Sequence, residues 1–266
     1  MEKDSNIQAE GMIKKIIDKY IDTYFITHMG NKTYILLYKP YHPYEQTPHG
    51  YAYLNAFYPA SNDLYFISKE IEHQFAEYNA VVYKGQLKKL FLDTKCAIFL
   101  KNCLVAIPPH GTRIALSAIE MDQLNVEEKV ANFSQEDRIC EGCKICSNHC
   151  PTGALKGGFS RELCLRYASD HPEDTSVDLN LIGKSILGCD ACQEVCPYNA
   201  SVESVPMPED LLSILKIEDL IKKAEGGRKY LEELCHYVGN NYNRPGRILR
   251  LAKNANDQES RDLNDV

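Results

Sequence analysis

The sequence has no apolar run long enough to cross a bilayer as a helix. Its longest, Cys96 to Ile107, is broken by Lys101 and Asn102, far short of the ~20 apolar residues a span needs. The N-terminus reads Met-Glu-Lys-Asp-Ser-Asn and has neither the basic start nor the apolar stretch of a secretory signal. A soluble, cytoplasmic protein with no membrane partner is expected. Positive charge is not in excess either: 30 Lys and Arg against 37 Asp and Glu leave a formal net charge of −7. That argues against broad electrostatic gripping of nucleic acid and leaves room only for a local basic patch. The remaining composition, 44% hydrophobic and 25% charged over 266 residues, is that of an ordinary globular chain of one large or two small domains.

Cysteine, by contrast, is abundant at eleven residues. Eight of them define the stretch around which the chain is organised. It opens with Cys140-Glu-Gly-Cys143-Lys-Ile-Cys146-Ser-Asn-His-Cys150-Pro151, the C-x2-C-x2-C-x3-C-P run of bacterial ferredoxins. It closes with Cys189-Asp-Ala-Cys192-Gln-Glu-Val-Cys196-Pro197, which repeats the pattern one cysteine short. Cys164, between the two, can supply the missing thiolate. A four-iron cubane needs a soft anionic ligand at each of its corners. Two-residue gaps let one tight turn present three cysteines to one cube, and backbone N–H groups of such a turn can face the cluster sulfurs. The fourth cysteine, followed by Pro, reaches the other cube in two-cluster ferredoxins. Cys140, Cys143, Cys146 and Cys196 are therefore assigned to one 4Fe–4S cluster, and Cys150, Cys164, Cys189 and Cys192 to a second.

Two other readings use the same cysteines. Eight thiolates could hold two structural zinc ions, but zinc knuckles pair C-x2-C units across a longer gap. A disulfide framework suits secreted proteins, and no signal peptide is present. Cys96, Cys103 and Cys235 lie in apolar settings and are read as core packing.

Along the rest of the chain, helical spacing covers Gly11 to Tyr24 and the segment from Ser61 through Leu64, Ile67, Ile71 and Phe75. Strands are expected at Tyr34–Tyr38, Ala80–Tyr83, Ile98–Ile107 and Arg113–Ile119, and a short helix at Leu87–Leu92. Between them, residues 39–50 hold three prolines with His42 and His49, which makes a long loop, either a substrate-facing flap or an ordinary surface loop, with bystander histidines. Helix and strand alternate up to Glu120, as in an α/β domain with a mixed sheet. A polar connector follows at Asn125 to Gln135. Ser160 is expected to cap a helix from Arg161 to Ala168, with a polar loop at Ser169–Thr175 and another helix at Leu179–Leu187. Further helices are expected at Leu211–Leu220 and Lys229–Tyr237. Asn243 to Lys253 is basic, with Arg247, Arg250 and Lys253 three apart, read either as a solvated face or as a phosphate-contacting edge. The last dozen residues look disordered. The expected domains are 1–130, α/β; 131–205, the double-cluster module; and 206–266, helices and tail.

The order C-x2-C-x2-C-x3-C-P-T-G-A, a lone cysteine, then G-C-D-x-C-Q-x-V-C-P-x-N resembles the epoxyqueuosine reductases, here at Cys140–Ala154, Cys164 and Gly188–Asn199. Upstream, Lys101-Asn102-Cys-Leu-Val-Ala-Ile is similar to the family's K-N-x-L-L-I strand, and Asn243 to Ala255 is similar to its segment past the core. The C-terminal helical-repeat domain of longer members has no counterpart in these residues. The resemblance implies a cobalamin-dependent reductase that removes the epoxide oxygen from a modified tRNA wobble base. It further implies an electron donor such as a ferredoxin or flavodoxin, and a monomer. It suggests Asp190, in the G-C-D turn, as a cobalamin neighbour. The family's G-L-G-W-I-G is replaced by Lys95-Cys-Ala-Ile-Phe-Leu100. Its proton-donating Asp would fall, without gaps, near Val82 or Tyr83, so Asp93 in Phe91-Leu-Asp-Thr94 takes that role only across a deletion. The alternative from the module alone is a non-catalytic, ferredoxin-like electron carrier.

Overall fold

The structure, a computed structural model, describes residues 11, 13–131, 139–173 and 176–264. The chain divides into two compact units. The first is drawn from 1–41, 60–100 and 104–138, and the second from 42–59, 101–103 and 139–266.

The first unit is built on a four-stranded sheet ordered Tyr24–Met29, Lys32–Pro40, Ile114–Asp122, Val81–Val82. Every pairing in it is antiparallel, so the expected mixed sheet is corrected. Tight hairpin connection at Gly30, whose φ is +61°, makes antiparallel neighbours of the first two strands. The strand Tyr24–Met29 was not foreseen, because the helical spacing of 11–24 ran over its start. Alternate residues of Lys32–Pro40 serve opposite faces. Leu36 and Tyr34 join Phe25, Ala118, Leu90 and Phe91 in one apolar cluster. On the helix Phe57–Gln74, Leu64, Ser68 and Ile71 are buried at helical spacing, and Phe75 just past its end is buried with them. Ser68 Oγ donates to Ser117 Oγ at 2.7 Å, which satisfies two buried hydroxyls inside that packing. The helix Leu87–Asp93 appears as the spacing predicts. The expected strand Ile98–Ile107 is two short strands, Ile98–Phe99 and Val105–Ala106, paired as a hairpin. Its turn holds Cys103 at φ +60°, a left-handed geometry that ends any extended run.

The second unit has one continuous core running from Ala52, Leu54 and Tyr58 through Ile186 and Leu187 to Leu211, Leu220, Leu251 and Ala255. The cluster segment and the C-terminal helices thus share a core rather than forming the separate pieces divided at 205. Leu179–Leu187 is not a helix. It is a short 3-10 turn, Leu179–Ile182, then a strand, Ser185–Leu187, parallel to Tyr53–Leu54. Gly183, at φ +63°, breaks the helical continuation. The expected helix Leu211–Leu220 is likewise two, Glu209–Ile214 and Ile217–Gly226, and Lys229–Tyr237 splits into Arg228–Leu231 and Glu232–Val238.

Residues Pro245–Asn264 form a helix, which corrects the expected disorder as far as Asn264. Ile248, Leu251, Ala252 and Ala255 bury one face of it, the Ile and Leu side chains each contributing about 1.5–3 kcal/mol when fully removed from water and the alanines less. A polar sequence masked this, because only a narrow stripe of the helix is apolar. The second half of the connector 125–135 and the end of the loop 169–175 fall outside the described residues. Among the described residues no helix is long and apolar enough to cross a membrane.

Candidate metal centre

The first cysteine run starts in a turn in which Cys143 N donates to Cys140 O at 3.3 Å. Gly142, at φ +73°, permits that turn. Cys146 is buried on the short helix Ile145–His149, and the helix stops where Cys150 N donates to Cys146 O at 3.1 Å. Pro151 cannot continue it. In the second run Cys192 sits on the helix Ala191–Glu194, while Cys196 precedes the 3-10 turn Pro197–Asn199. Asn199 closes that turn, with its N–H on Cys196 O at 2.8 Å and its Nδ2 on Gln193 O at 2.8 Å.

Cys164 stands at the N-terminal cap of the helix Leu165–Asp170. The expected helix from Arg161 therefore begins later, and Ser160 is not its cap. Its hydroxyl donates to Glu162 at 3.2 Å instead.

The thiols act on one another across the two runs. Burial, then the close approach of Cys140, Cys146 and Cys143, raises the pKa of Cys196. Cys146 is raised by burial and by Cys140 and Cys143. In the other set, burial with Asp190, Cys164 and Cys150 nearby pushes Cys189 up to about 12. Cys192 is likewise pushed up to about 12 by burial and by Cys189 and Cys164, and it also feels Cys146 of the first set. All eleven cysteines are free thiols.

These surroundings fit a metal cluster. Buried, mutually repelling thiols are poor anions alone, and bound cations stabilise them as thiolates outright. Among the described residues no three His, Cys, Asp or Glu side chains converge tightly enough to chelate a single ion. Thiolates on one tetrahedral zinc lie about 3.8 Å apart, given Zn–S bonds of ~2.3 Å. The corners of a cubane hold theirs farther apart.

Backbone donors surround the sulfurs. Burial alone would raise Cys150, yet hydrogen bonds from the Thr152 hydroxyl and from the N–H groups of Thr152, Ala154 and Leu155 hold it below the usual thiol value. The C-P-T-G-A string is thus a donor nest around one sulfur. Cys189 accepts from Ala191 N, and Cys196 from Tyr198 N. Sequence reasoning missed one further donor. Lys101 N–H donates to Cys140 Sγ at 3.4 Å, and Lys101 Nζ donates to Cys143 O at 3.3 Å. The only signal was the K-N pair, and it was read as a strand.

Cys189 is positioned by its neighbours. Gly188, at φ +87°, has Asn55 and Tyr58 where a Cβ would stand, at 2.8 and 2.9 Å. Its N–H donates to Ser169 Oγ at 3.0 Å, and its carbonyl accepts from Ser185 Oγ at 3.1 Å. Asp190 is buried and accepts from Asn55 Nδ2. Asn55 Oδ1 in turn accepts from Phe57 N at 2.8 Å.

Asp93 ends the helix Leu87–Asp93 in the first unit, half-exposed, with Lys89 Nζ at 2.8 Å. His42 Nδ1 meets Glu203 O at 2.9 Å, and His49 pairs Glu259 at 2.8 Å, so both histidines are tied to the second unit's frame. Cys96 and Cys235 are buried as expected, but Cys103 is only half-buried in its turn.

Residues 139–199 match the 4Fe-4S double cluster binding domain. Over 187 residues the chain is 26% identical to the epoxyqueuosine reductase of Bacillus subtilis, a match that covers 63% of this chain and 44% of that one. Its fold is similar to that of a selenomethionine-labelled epoxyqueuosine reductase crystal structure, with a TM-score of 0.65 and 16% identity over 95% of this chain and 82% of that chain. It is also similar in fold to an epoxyqueuosine reductase solved with a tRNA-Tyr epoxyqueuosine-modified stem loop, with a TM-score of 0.58 and 19% identity over 86% and 64% of the two chains. The chain spans about half the length of the curated relatives it matches. The chain is thus an α/β protein similar in sequence and fold to epoxyqueuosine reductases, and its cysteine-rich segment matches a domain for two 4Fe–4S clusters.

Proposed function

We propose that the chain is an iron–sulfur reductase of the epoxyqueuosine reductase type, acting on a modified tRNA base. One cluster is held by Cys140, Cys143, Cys146 and Cys196, the other by Cys150, Cys164, Cys189 and Cys192. What supports the reading is that the Cys140, Cys146 and Cys143 thiols of the first run raise Cys196, while Cys164 and Cys150 raise Cys189.

When bound, the clusters supply single electrons; removing an epoxide oxygen as water, leaving an alkene, consumes two electrons and two protons. The chain's own part is to hold and tune. Lys101 and the donors around Cys150 place N–H dipoles and positive charge beside thiolates, which favours the more negative, reduced state. The Asn55–Asp190 hydrogen bond fixes the turn that carries Cys189. A ferredoxin or flavodoxin is the proposed electron donor.

Cobalamin enters this reading by resemblance, with Asp190 as its proposed neighbour and Asp93 as the proposed proton donor. The Asn55 amide already occupies one oxygen of Asp190, and Asp93 already pairs Lys89. The test is anaerobic turnover of a stem loop carrying epoxyqueuosine, with chemical reductant, with and without cobalamin. Queuosine formed only with cobalamin supports the reading. Clusters that reduce normally while the base stays unchanged under both conditions leave a two-cluster electron carrier instead.

A further inference from the structure

The basic segment near the C-terminus does not behave as one solvated face. Lys253 pairs Glu225 at 3.5 Å. Arg247, three and six positions from its basic neighbours, turns inward and is 6% exposed. Its Nε is buried without a hydrogen-bond partner. The nearest compensation is the face of Tyr242, with the guanidinium carbon 5.9 Å from the ring centre, the outer limit of a useful cation–π contact. A buried guanidinium left this way is costly unless an anion completes it.

Arg247 lines a cleft of about 430 Å³ with Arg228, Arg244, Arg250, Gly246 and Glu173. Among the described residues none of these four arginines forms an ion pair, and Glu173 is the lone carboxylate against them. The cleft also lies at the start of the 20-residue helix Pro245–Asn264. There the first helical hydrogen bond runs from Ile248 N to Arg244 O at 3.1 Å, so the earlier N–H groups, those of Gly246 and Arg247, have no partner within the helix. At Gly246 a Cβ would meet nothing within 4 Å, so an anion can approach that backbone closely. Helix N-terminus, guanidinium forks and an enclosed, uncompensated cation together describe an oxyanion receptor.

We infer that this cleft is a binding site for a phosphate group, held by Arg244, Arg247 and Arg250 with the N-terminus of the last helix. The inference stands on this cleft alone and does not depend on the reductase reading. The phosphate comes either from an RNA backbone or from a small phosphorylated molecule.

The test measures calorimetric binding of inorganic phosphate to the anaerobically purified full chain, with chloride as control. Two variants accompany it, Arg247→Gln and the exposed pair Arg244→Gln with Arg250→Gln, each checked for unchanged cluster absorbance. Phosphate is expected to bind in preference to chloride, and each variant to lose affinity by about tenfold or more. If Arg247→Gln fails to fold, the exposed pair decides. An RNA hairpin that displaces phosphate, and is weakened by the same substitutions, identifies the backbone as the source. A hairpin that does not displace it points to a small phosphorylated molecule. Equal response to chloride, or a folded exposed-pair variant with wild-type phosphate affinity, overturns the inference.

Discussion

The amide of Lys101 donates to the sulfur of Cys140 at 3.4 Å, while the ammonium of the same residue holds the carbonyl of Cys143 at 3.3 Å. One residue thus brings both a dipole and a charge to the first cysteine set. Reduction adds negative charge to a cluster, so a nearby cation favours it. In Lys101→Met the potential of one cluster is expected to fall by on the order of tens of millivolts, where 59 mV is tenfold for one electron. Anaerobic redox titration followed by electron paramagnetic resonance reads the shift. Unchanged potentials would remove Lys101 from the tuning of the cluster.

Thr152→Val removes the hydroxyl that donates to Cys150 but keeps the backbone donors around that sulfur. The same titration is expected to show a smaller drop, and in the other cluster. A shift in the same cluster as Lys101→Met would contradict the crossed assignment.

Gly188→Ala forces a side chain into Asn55 and Tyr58 at a backbone angle of +87°. Strain of this kind costs on the order of 1–3 kcal/mol. Thermal unfolding of the cluster-loaded protein should move down by a few degrees per kcal/mol, with iron lost first from the set containing Cys189. Wild-type stability and iron content would show that the turn has more room than its contacts imply.

Glu259 links the last helix to the second unit's loop, with Lys184 and His49 each at 2.8 Å. Burial works to raise its carboxyl, but hydrogen bonds from Lys184 and Gly50 N and the charges of Lys184 and His49 outweigh it and hold it below the usual range. A carboxylate depressed in the folded state stabilises fully above its unfolded pKa, near 4.3, and loses that contribution as pH falls through the folded value. Glu259→Gln should therefore lose stability at pH 7 and show a shallower acid limb in thermal melts between pH 6 and 3. An acid limb identical to wild type would mean that this carboxylate does not couple to folding.

The cysteine pattern was legible because cluster chemistry fixes residue type and spacing together. Cys164, with no motif of its own, could be placed by counting corners. What the sequence concealed was tertiary. Ile98 to Ile107 reads as one strand, and only the fold shows that residues 101–103 turn and place Lys101 on Cys140. The strand Ser185–Leu187 lies in a helix-like pattern because its partner, Tyr53–Leu54, is far along the chain. Arg247 looked like its solvated neighbours, since a charge run does not reveal which member points inward. The last helix was hidden by its polar majority, although the Ile248, Leu251, Ala252 and Ala255 spacing carried it.

In the proposed metal centre, eight cysteines, from the two runs and Cys164 between them, hold two interlocked iron–sulfur cubes. Iron and acid-labile sulfide counts on anaerobically purified Cys196→Ser protein, alongside wild type, test it most directly. About eight irons and eight sulfides are expected per wild-type chain, and in the variant loss or conversion of the cluster held by Cys140, Cys143 and Cys146, with the other intact. Stoichiometric zinc in place of iron in wild type, or a variant in which only the Cys150, Cys164, Cys189 and Cys192 cluster suffers, would contradict it.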